Sequence, residues 1–394
     1  MLIGIVGKPN VGKSTFFKAA TMAEVLIANY PFATIKPNEG VGYVRIDCID
    51  SEFKTQCNPR TGFCINHQRF VPVRLLDVAG LVPGAHKGKG LGNQFLDDLR
   101  QADAFIHILD ASGKTNEEGK PAENYDIRKD IIFLEDELDY WFFGLMEKAW
   151  KVFSRKAQAE KTPLHEAVVK QFSGLKINDA QVKKAILQSG LNADSAFSWT
   201  NEEIFKFSRI LRKISKPMII AANKIDIKEA QENFNILKKE FPDLMIIPCS
   251  ADSELALREA AKAGLIDYIP GDRKFEIKKN LNDRQKDALE MVKKNVLDKF
   301  LTGTGVQAIL NDSAFLLLKY IAIFPAGAHK LADREGNILP DCFLLPENST
   351  ALDFAYTVHS DLGKNFIKAI DARTKRILGK EHKLKHRDAL EIIT

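Results

Sequence analysis

The chain opens on an unbroken apolar run, Leu2-Ile3-Gly4-Ile5-Val6. Largely apolar runs recur at Val73–Leu76, interrupted by Arg74, at Ala104–Leu109, interrupted by His107, and at Met218–Ile220 and Ile246–Ile247. Runs without polar alternation predict strands buried on both faces, as in an open parallel sheet covered by helices. Helical periodicity fills the spaces between them. Thr15–Ala20 reads as a helix directly after the first strand. Ile127, Ile131, Leu134, Leu138, Trp141, Leu145 and Ala149 form one stripe at three- and four-residue steps, which predicts a long amphipathic helix. Its opposite face carries Arg128, Lys129, Glu135, Asp136 and Glu137. Pro163, a second run from Leu164 to Phe172 and two short patterns before Lys216 complete a helical, coiled-coil-like insertion between two strands of the sheet. Trp141, Phe142, Phe143 and Trp150 are assigned to its core by their helical spacing.

After Ala251 the pattern is helical through Leu318, and then its character changes. Short strands are predicted at Ile321–Phe324, Cys342–Leu345, Phe366–Ile370 and Ala389–Ile393. One helix spans Thr350–His359, capped by the hydroxyl of Ser349 or Thr350. Few strands around one helix make a small α+β domain. The expected division is 1–125 and 213–275 for a split α/β domain, 126–212 for the insertion, 276–319 for a helical connector and 320–394 for the tail.

Composition narrows the class only modestly. A chain of 394 residues, 45% hydrophobic and 28% charged, is ordinary for a protein of two or three domains. No run approaches a membrane span, and Met1 leads straight into the first strand, so a cytoplasmic protein with no membrane partner is expected. The five cysteines show no C-x-x-C spacing, which predicts reduced thiols, with a zinc site on Cys57 and Cys64 as the alternative. A net charge of +5 decides nothing by itself. Its distribution says more: Arg373, Lys375, Arg376, Lys380, Lys383, Lys385 and Arg387 face only Glu381 and Asp388, a local basic stripe suited to phosphate backbones or simply to water.

The candidate chemistry sits at the strand ends. Gly7-Lys8-Pro9-Asn10-Val11-Gly12-Lys13-Ser14 is G-x-x-x-x-G-K-S between an apolar strand and a helix, the pattern of a loop that cradles phosphates. Lys8, Pro9, Asn10, Val11, Gly12, Lys13, Ser14 and Thr15 are therefore candidate nucleotide contacts, with Lys13 on the β/γ oxygens and Ser14 on Mg2+. Asn10 either caps the loop or ligates K+ beside the phosphates. Asn223-Lys224-Ile225-Asp226 after the fourth strand is a guanine reader, in which Asp226 accepts from the two donors on the guanine edge. Ser250 and Ala251 form a turn that backs the base. Asp77-Val78-Ala79-Gly80 supplies a second metal residue in Asp77 and an amide at Gly80 to sense the γ-phosphate, and Thr34 is the hydroxyl placed to close over the metal. Lys13, Thr34 and Gly80 are thus the candidate catalytic residues. Leu81 follows where a water-orienting glutamine stands in Ras-like switches, leaving His86 or a monovalent cation as candidates for positioning water.

These motifs, with the Asn29-Tyr30-Pro31-Phe32 run, Asp77–Gly84 and Gly88–Leu96, resemble the YchF branch of the Obg family of translation-factor-class GTPases. The tail, with Leu352–Tyr356 followed by His359–Gly363, resembles a TGS domain, a β-grasp module. The resemblance spans nearly the whole chain. It implies a doubly wound P-loop GTPase sheet with a helical insertion and a C-terminal β-grasp domain, slow Mg2+-dependent hydrolysis, and association with ribosomes or structured RNA. Obg-like ATPases of this branch have lost N-K-x-D and prefer ATP. This chain keeps it, as the archaeal form of the branch does. The expectation is a monomeric switch binding GTP and GDP, with Arg373, Lys375, Arg376, Lys383 and Lys385 meeting RNA. An ATP-preferring enzyme, or a docking module with a structural nucleotide, is the alternative.

Overall fold

In the computed structural model, which describes residues 1–21, 39–78, 99–327, 331–333 and 335–394, the apolar runs become strands of one sheet. The chain divides into two units, Met1–Ala19 with Leu75–Ile309, and Ala20–Arg74 with Leu310–Thr394.

The first unit holds strands β1 (Leu2–Val6), the end of β4 (Gln68–Asp77), β5 (Ala104–Asp110), β6 (Met218–Asn223) and β7 (Ile246–Pro248), in the order β4-β1-β5-β6-β7. β1 runs parallel to β5, β5 to β6 and β6 to β7. Every residue of β1 and β5 is buried, which is why neither alternates in polarity. Helix α1 (Lys13–Thr21) follows β1 at once, so the loop between them opens at a strand end, where such sheets bind ligands.

Between β5 and β6 stands the helical insertion, led by α2 (Arg128–Ala159) and followed by α3 (Leu164–Gln171), α4 (Asp179–Ser189) and α5 (Asn201–Ser215). Its aromatics are core residues: Trp141, Phe142 and Trp150 are buried, Phe143 packs against them, and Trp150 stacks on Trp199 with centroids 5.2 Å apart. The charged face of α2 is only partly solvated. Glu135 pairs with Arg212 of α5 at 2.7 Å, the buried Asp139 pairs with the same guanidinium at 2.6 Å, and Glu137 is also buried. Arg212 is wholly buried, so its charge is matched by carboxylates from the facing helix.

Helices α6 (Lys228–Glu240) and α7 (Ala251–Lys262) follow β6 and β7. The continuous helical stretch expected through Leu318 is broken. Gly264 adopts φ +65 beyond α7, and the chain makes the small antiparallel pair β8 (Ile266–Asp267) and β9 (Glu276–Ile277) before α8 (Asp283–Val292). Helix propensity on either side conceals a pair only two residues long.

The second unit contains β2 (Glu39–Asp47), β3 (Phe63–Ile65) and the start of β4, and a five-stranded sheet from the tail. That sheet has the order β11 (Phe343–Pro346), β10 (Tyr320–Pro325), β14 (Ala389–Ile393), β12 (Lys368–Asp371), β13 (Ile377–Leu378), with β10 and β14 parallel and the other pairs antiparallel. Helix α9 (Ala351–Val358) supplies Ala351 and Phe354 to the core beside Ile323, Leu345 and Leu390. Thr350 caps it in a capping box with Asp353.

Candidate nucleotide site

The loop between β1 and α1 passes so close to its neighbours that two positions have no room for a side chain. A Cβ on Gly7 would stand 2.4 Å from the carbonyl oxygen of Ile108. One on Gly12, whose φ is +97, would stand 2.3 Å from Nδ2 of Asn223. Asn10 takes φ +64 and donates from Nδ2 to Gly119 O at 2.9 Å, so its side chain secures the loop. α1 begins at Lys13, putting Ser14 and Thr15 in a first turn whose amides and dipole favour an anion.

Lys13 is buried and donates from Nζ to Lys8 O at 2.8 Å. Burial lowers its ammonium to about 8, opposed by the nearby charge of Asp77. Burial raises the Asp77 carboxyl, while Lys13 and a hydrogen bond with Ser14 pull it back. A cation, a hydroxyl and a carboxylate therefore share one recess, and the oxygen pair suits a hard divalent ion. Lys8 does not join them with its side chain. Its Nζ is buried against Asp130 at 2.8 Å and Thr115 O at 2.8 Å, 4.1 Å above the Tyr125 ring, so only its backbone faces the loop's interior.

β6 delivers the second half of the site. Asn223, buried, donates from Nδ2 to Val11 O at 2.8 Å and accepts from Ala251 N at 3.0 Å. Lys224, at φ +65, reaches Asp110 Oδ2 at 2.8 Å and Asn10 O at 3.4 Å. Asp226 accepts from the Ser250 hydroxyl at 2.7 Å, and Ser250 caps α7. Lys13, Ser14, Asp77, Asn223, Lys224, Asp226, Ser250 and Ala251 are thus brought together at one edge of the sheet. Thr34, Gly80, Leu81 and His86 lie outside the described residues.

Asp110 and Asp130 were missed by the sequence reading. Burial pushes Asp110 up, but hydrogen bonds from Lys224 and Ser112 outweigh it and hold the carboxyl below its ordinary value. The available signal is a carboxylate closing a strand that is apolar but for His107, two residues before a serine and five before a threonine, both of which bond it. In the tail, Lys375, Arg376, Lys383 and Lys385 are exposed. Arg373 is not a free cation: Glu52 pairs with it and with Arg387, each at 2.5 Å.

Over its whole length the chain is 48% identical to the "Uncharacterized GTP-binding protein MJ1332" of Methanocaldococcus jannaschii, covering 99% of that protein. The chain belongs to the YchF branch of the Obg-like GTPase family. Family models agree along the chain: a "50S ribosome-binding GTPase" model over residues 2–136, an "Obg-like GTPase YGR210-like, G4 motif-containing domain" over 221–327, and a TGS domain over 330–394. A GTP-binding protein from Pyrococcus horikoshii has the same fold, with a TM-score of 0.81 and 39% identity across all of both chains. The "Ribosome-binding ATPase YchF" of Buchnera aphidicola is 26% identical over 93% of this chain and 86% of that one. Members of this family are GTP- or ATP-binding P-loop proteins, and P-loop GTPases generally use Mg2+. No described helix is long and apolar enough to cross a membrane.

Proposed function

We propose that this protein is a guanine-selective, Mg2+-dependent GTPase working as a nucleotide-operated switch on ribosomes or structured RNA. The observation that carries the reading is the Asn223 bridge, in which one buried amide holds both the phosphate loop at Val11 and the Ser-Ala turn at Ala251. Phosphate binding and base reading are thereby one piece. Asp226, three residues on, accepts from the guanine N1–H and amino group, which adenine cannot satisfy. Lys13 and the amides of Gly12–Thr15 bear on the phosphates. Ser14 and Asp77, with Thr34, would hold Mg2+, which neutralises charge developing on the transferred phosphoryl group. With Leu81 at the glutamine position, intrinsic turnover is slow, and K+ near Asn10 or the His86 side chain is left to assist.

The ribosomal part of the reading rests on the names of the Buchnera relative and of the family model, and on the exposed Lys375, Arg376, Lys383 and Lys385. That relative is called an ATPase, and the Asn223–Asp226 motif argues for GTP here. Co-sedimentation with ribosomes under GDP, a nonhydrolysable GTP analogue and no nucleotide tests the switch. Binding that depends on the nucleotide supports it, and binding indifferent to nucleotide makes the protein a docking module instead.

A further inference from the structure

A second polar cluster, unused by the nucleotide site, lies in the other unit. Cys48, Asp50, Cys57 and Cys64 each bring one sulfur or carboxylate oxygen to within 4.8 Å of the rest. They come from four places in the local chain. Cys48 follows the end of β2, and Asp50 stands in the 3-10 turn Ile49–Phe53, which Lys54 ends in the left-handed conformation. The chain turns back so that Cys57 N donates to Asp50 Oδ2 at 3.0 Å. Cys64 arrives on β3, opposite Arg69 of β4, through a two-residue hairpin loop in which Asn66 and His67 both have positive φ. Cys48 N donates to His67 O at 2.7 Å, tying the strand end to that loop.

The spacing matches one kind of occupant. Cys48 Sγ lies 3.6 Å from Cys57 Sγ, and Cys64 Sγ lies 3.8 Å from Asp50 Oδ2. Ligands about 2.3 Å from a tetrahedral zinc ion are separated by about 3.8 Å. A disulfide needs its sulfurs at about 2.0 Å, and all five cysteines are free. The surroundings are also those of a metal centre. Asp50, fully buried, is held at its other oxygen by His67 Nδ1 at 2.9 Å, the support that orients a ligating carboxylate. The wholly buried Arg69 donates to Leu339 O, Pro340 O and Cys57 Sγ, so its hydrogen bonds go to neutral carbonyls and one sulfur. Three thiolates and a carboxylate around a divalent ion leave excess negative charge, and Arg69 offsets part of it.

We propose that Cys48, Asp50, Cys57 and Cys64 form a structural zinc site that fastens the turn after β2 to the β3–β4 hairpin. Thiolate ligands select zinc over Mg2+ or Ca2+, and four protein ligands leave no open position for catalysis. Each thiol that binds gives its proton to solvent, so loading releases acid.

The test uses the full chain, purified without chelator and reconstituted with Zn2+ under reducing conditions. Elemental analysis should find about one zinc per chain. A mercurial that titrates the thiols should release that zinc to a colorimetric indicator, and Co2+ in its place should show sulfur-to-cobalt charge transfer with intense tetrahedral visible bands. Cys57→Ser and Cys64→Ser should each lose most of the zinc. Because either variant could fold poorly, the cobalt spectrum of the unsubstituted protein decides by itself. Absence of zinc and of the cobalt bands, a Cys48–Cys57 disulfide in nonreducing peptide mapping, or an iron chromophore in place of zinc would each overturn the proposal.

Discussion

Gly12→Ala should uncouple phosphate binding from base reading, because the added methyl would stand 2.3 Å from the Asn223 amide that joins the two. Two effects combine. An alanine at φ +97 is strained by about 1–3 kcal/mol. If Asn223 then swings aside, Val11 O and Ala251 N–H lose their buried partner, at about 1–3 kcal/mol each. Even the low end of that sum, about 3 kcal/mol, corresponds to roughly a hundredfold in guanine nucleotide affinity. Asn223→Ala alone removes the same two hydrogen bonds and should lose about 2–6 kcal/mol, shared between stability and binding. The informative variant is the pair. In an Asn223→Ala background the added methyl has nothing to displace, so Gly12→Ala should impose only its backbone strain, and the two losses should fall short of additivity by the doubly counted hydrogen bonds, about 2–6 kcal/mol. Titration with a fluorescent GDP analogue, with thermal unfolding alongside, measures all corners of the cycle. Losses that add to within about 0.5 kcal/mol would refute the steric route through Asn223.

Nucleotide affinity should depend on pH through Lys13. Burial lowers its ammonium to about 8 in the folded, nucleotide-free protein, below the unfolded value of 10.5, so the native state holds fewer protons between those values and its stability rises with pH across that window. Bound phosphates favour the charged form, so binding takes up a proton above pH 8, and affinity should fall about tenfold from pH 7 to pH 9. Calorimetry in buffers of different ionisation enthalpy reads this directly, with Lys13→Ala as the control for titration of the nucleotide, and a flat profile would reject it. Asp226→Asn should weaken GTP by at least about a hundredfold and favour xanthine nucleotides, since two charge-assisted bonds of about 1.5–3 kcal/mol are lost. Its amide oxygen still accepts from Ser250, so the loop should survive, and equal affinity of the unsubstituted protein for ATP and GTP would sink the assignment.

The features legible in sequence are the local ones. A strand buried on both faces is apolar along most of its length, so β1, β5 and β6 announce themselves, and glycines forced by close backbone approach mark the phosphate loop. Buried polar groups are the opposite case. Glu135, Asp139 and Arg212 look like surface residues until α2 and α5 meet, and Lys8 reads as a phosphate ligand until Asp130 claims it. The cysteine cluster escapes for the same reason. Cys57 and Cys64 stand near each other in the sequence without a metal-site spacing, and Cys48 and Asp50 join them only once the hairpin and the 3-10 turn have folded.

The Lys8–Asp130 pair links the phosphate loop to the root of the helical insertion, and its energetics can be separated from its role. Both side chains are nearly inaccessible, at 2% and 4%, and Asp130 also accepts from the Tyr125 hydroxyl at 3.0 Å. Asp130 lies in the first turn of α2, where a negative charge is favoured by the helix dipole, while Lys8 O is the acceptor for Lys13. Removing one partner strands the other charge in the interior. Asp130→Ala should therefore destabilise the protein by about 3–5 kcal/mol. A paired apolar replacement, Lys8→Met with Asp130→Leu, removes both charges and should recover most of that loss. Nucleotide binding separates the two roles. If the ion pair serves only stability, the apolar pair should bind GDP like the parent. If it fixes the carbonyl that receives Lys13, thermal stability should return while GDP dissociation stays faster. Unfolding midpoints and stopped-flow dissociation rates on the same three proteins decide between these outcomes, and an Asp130→Ala protein with unchanged unfolding would show that the buried charge finds compensation elsewhere.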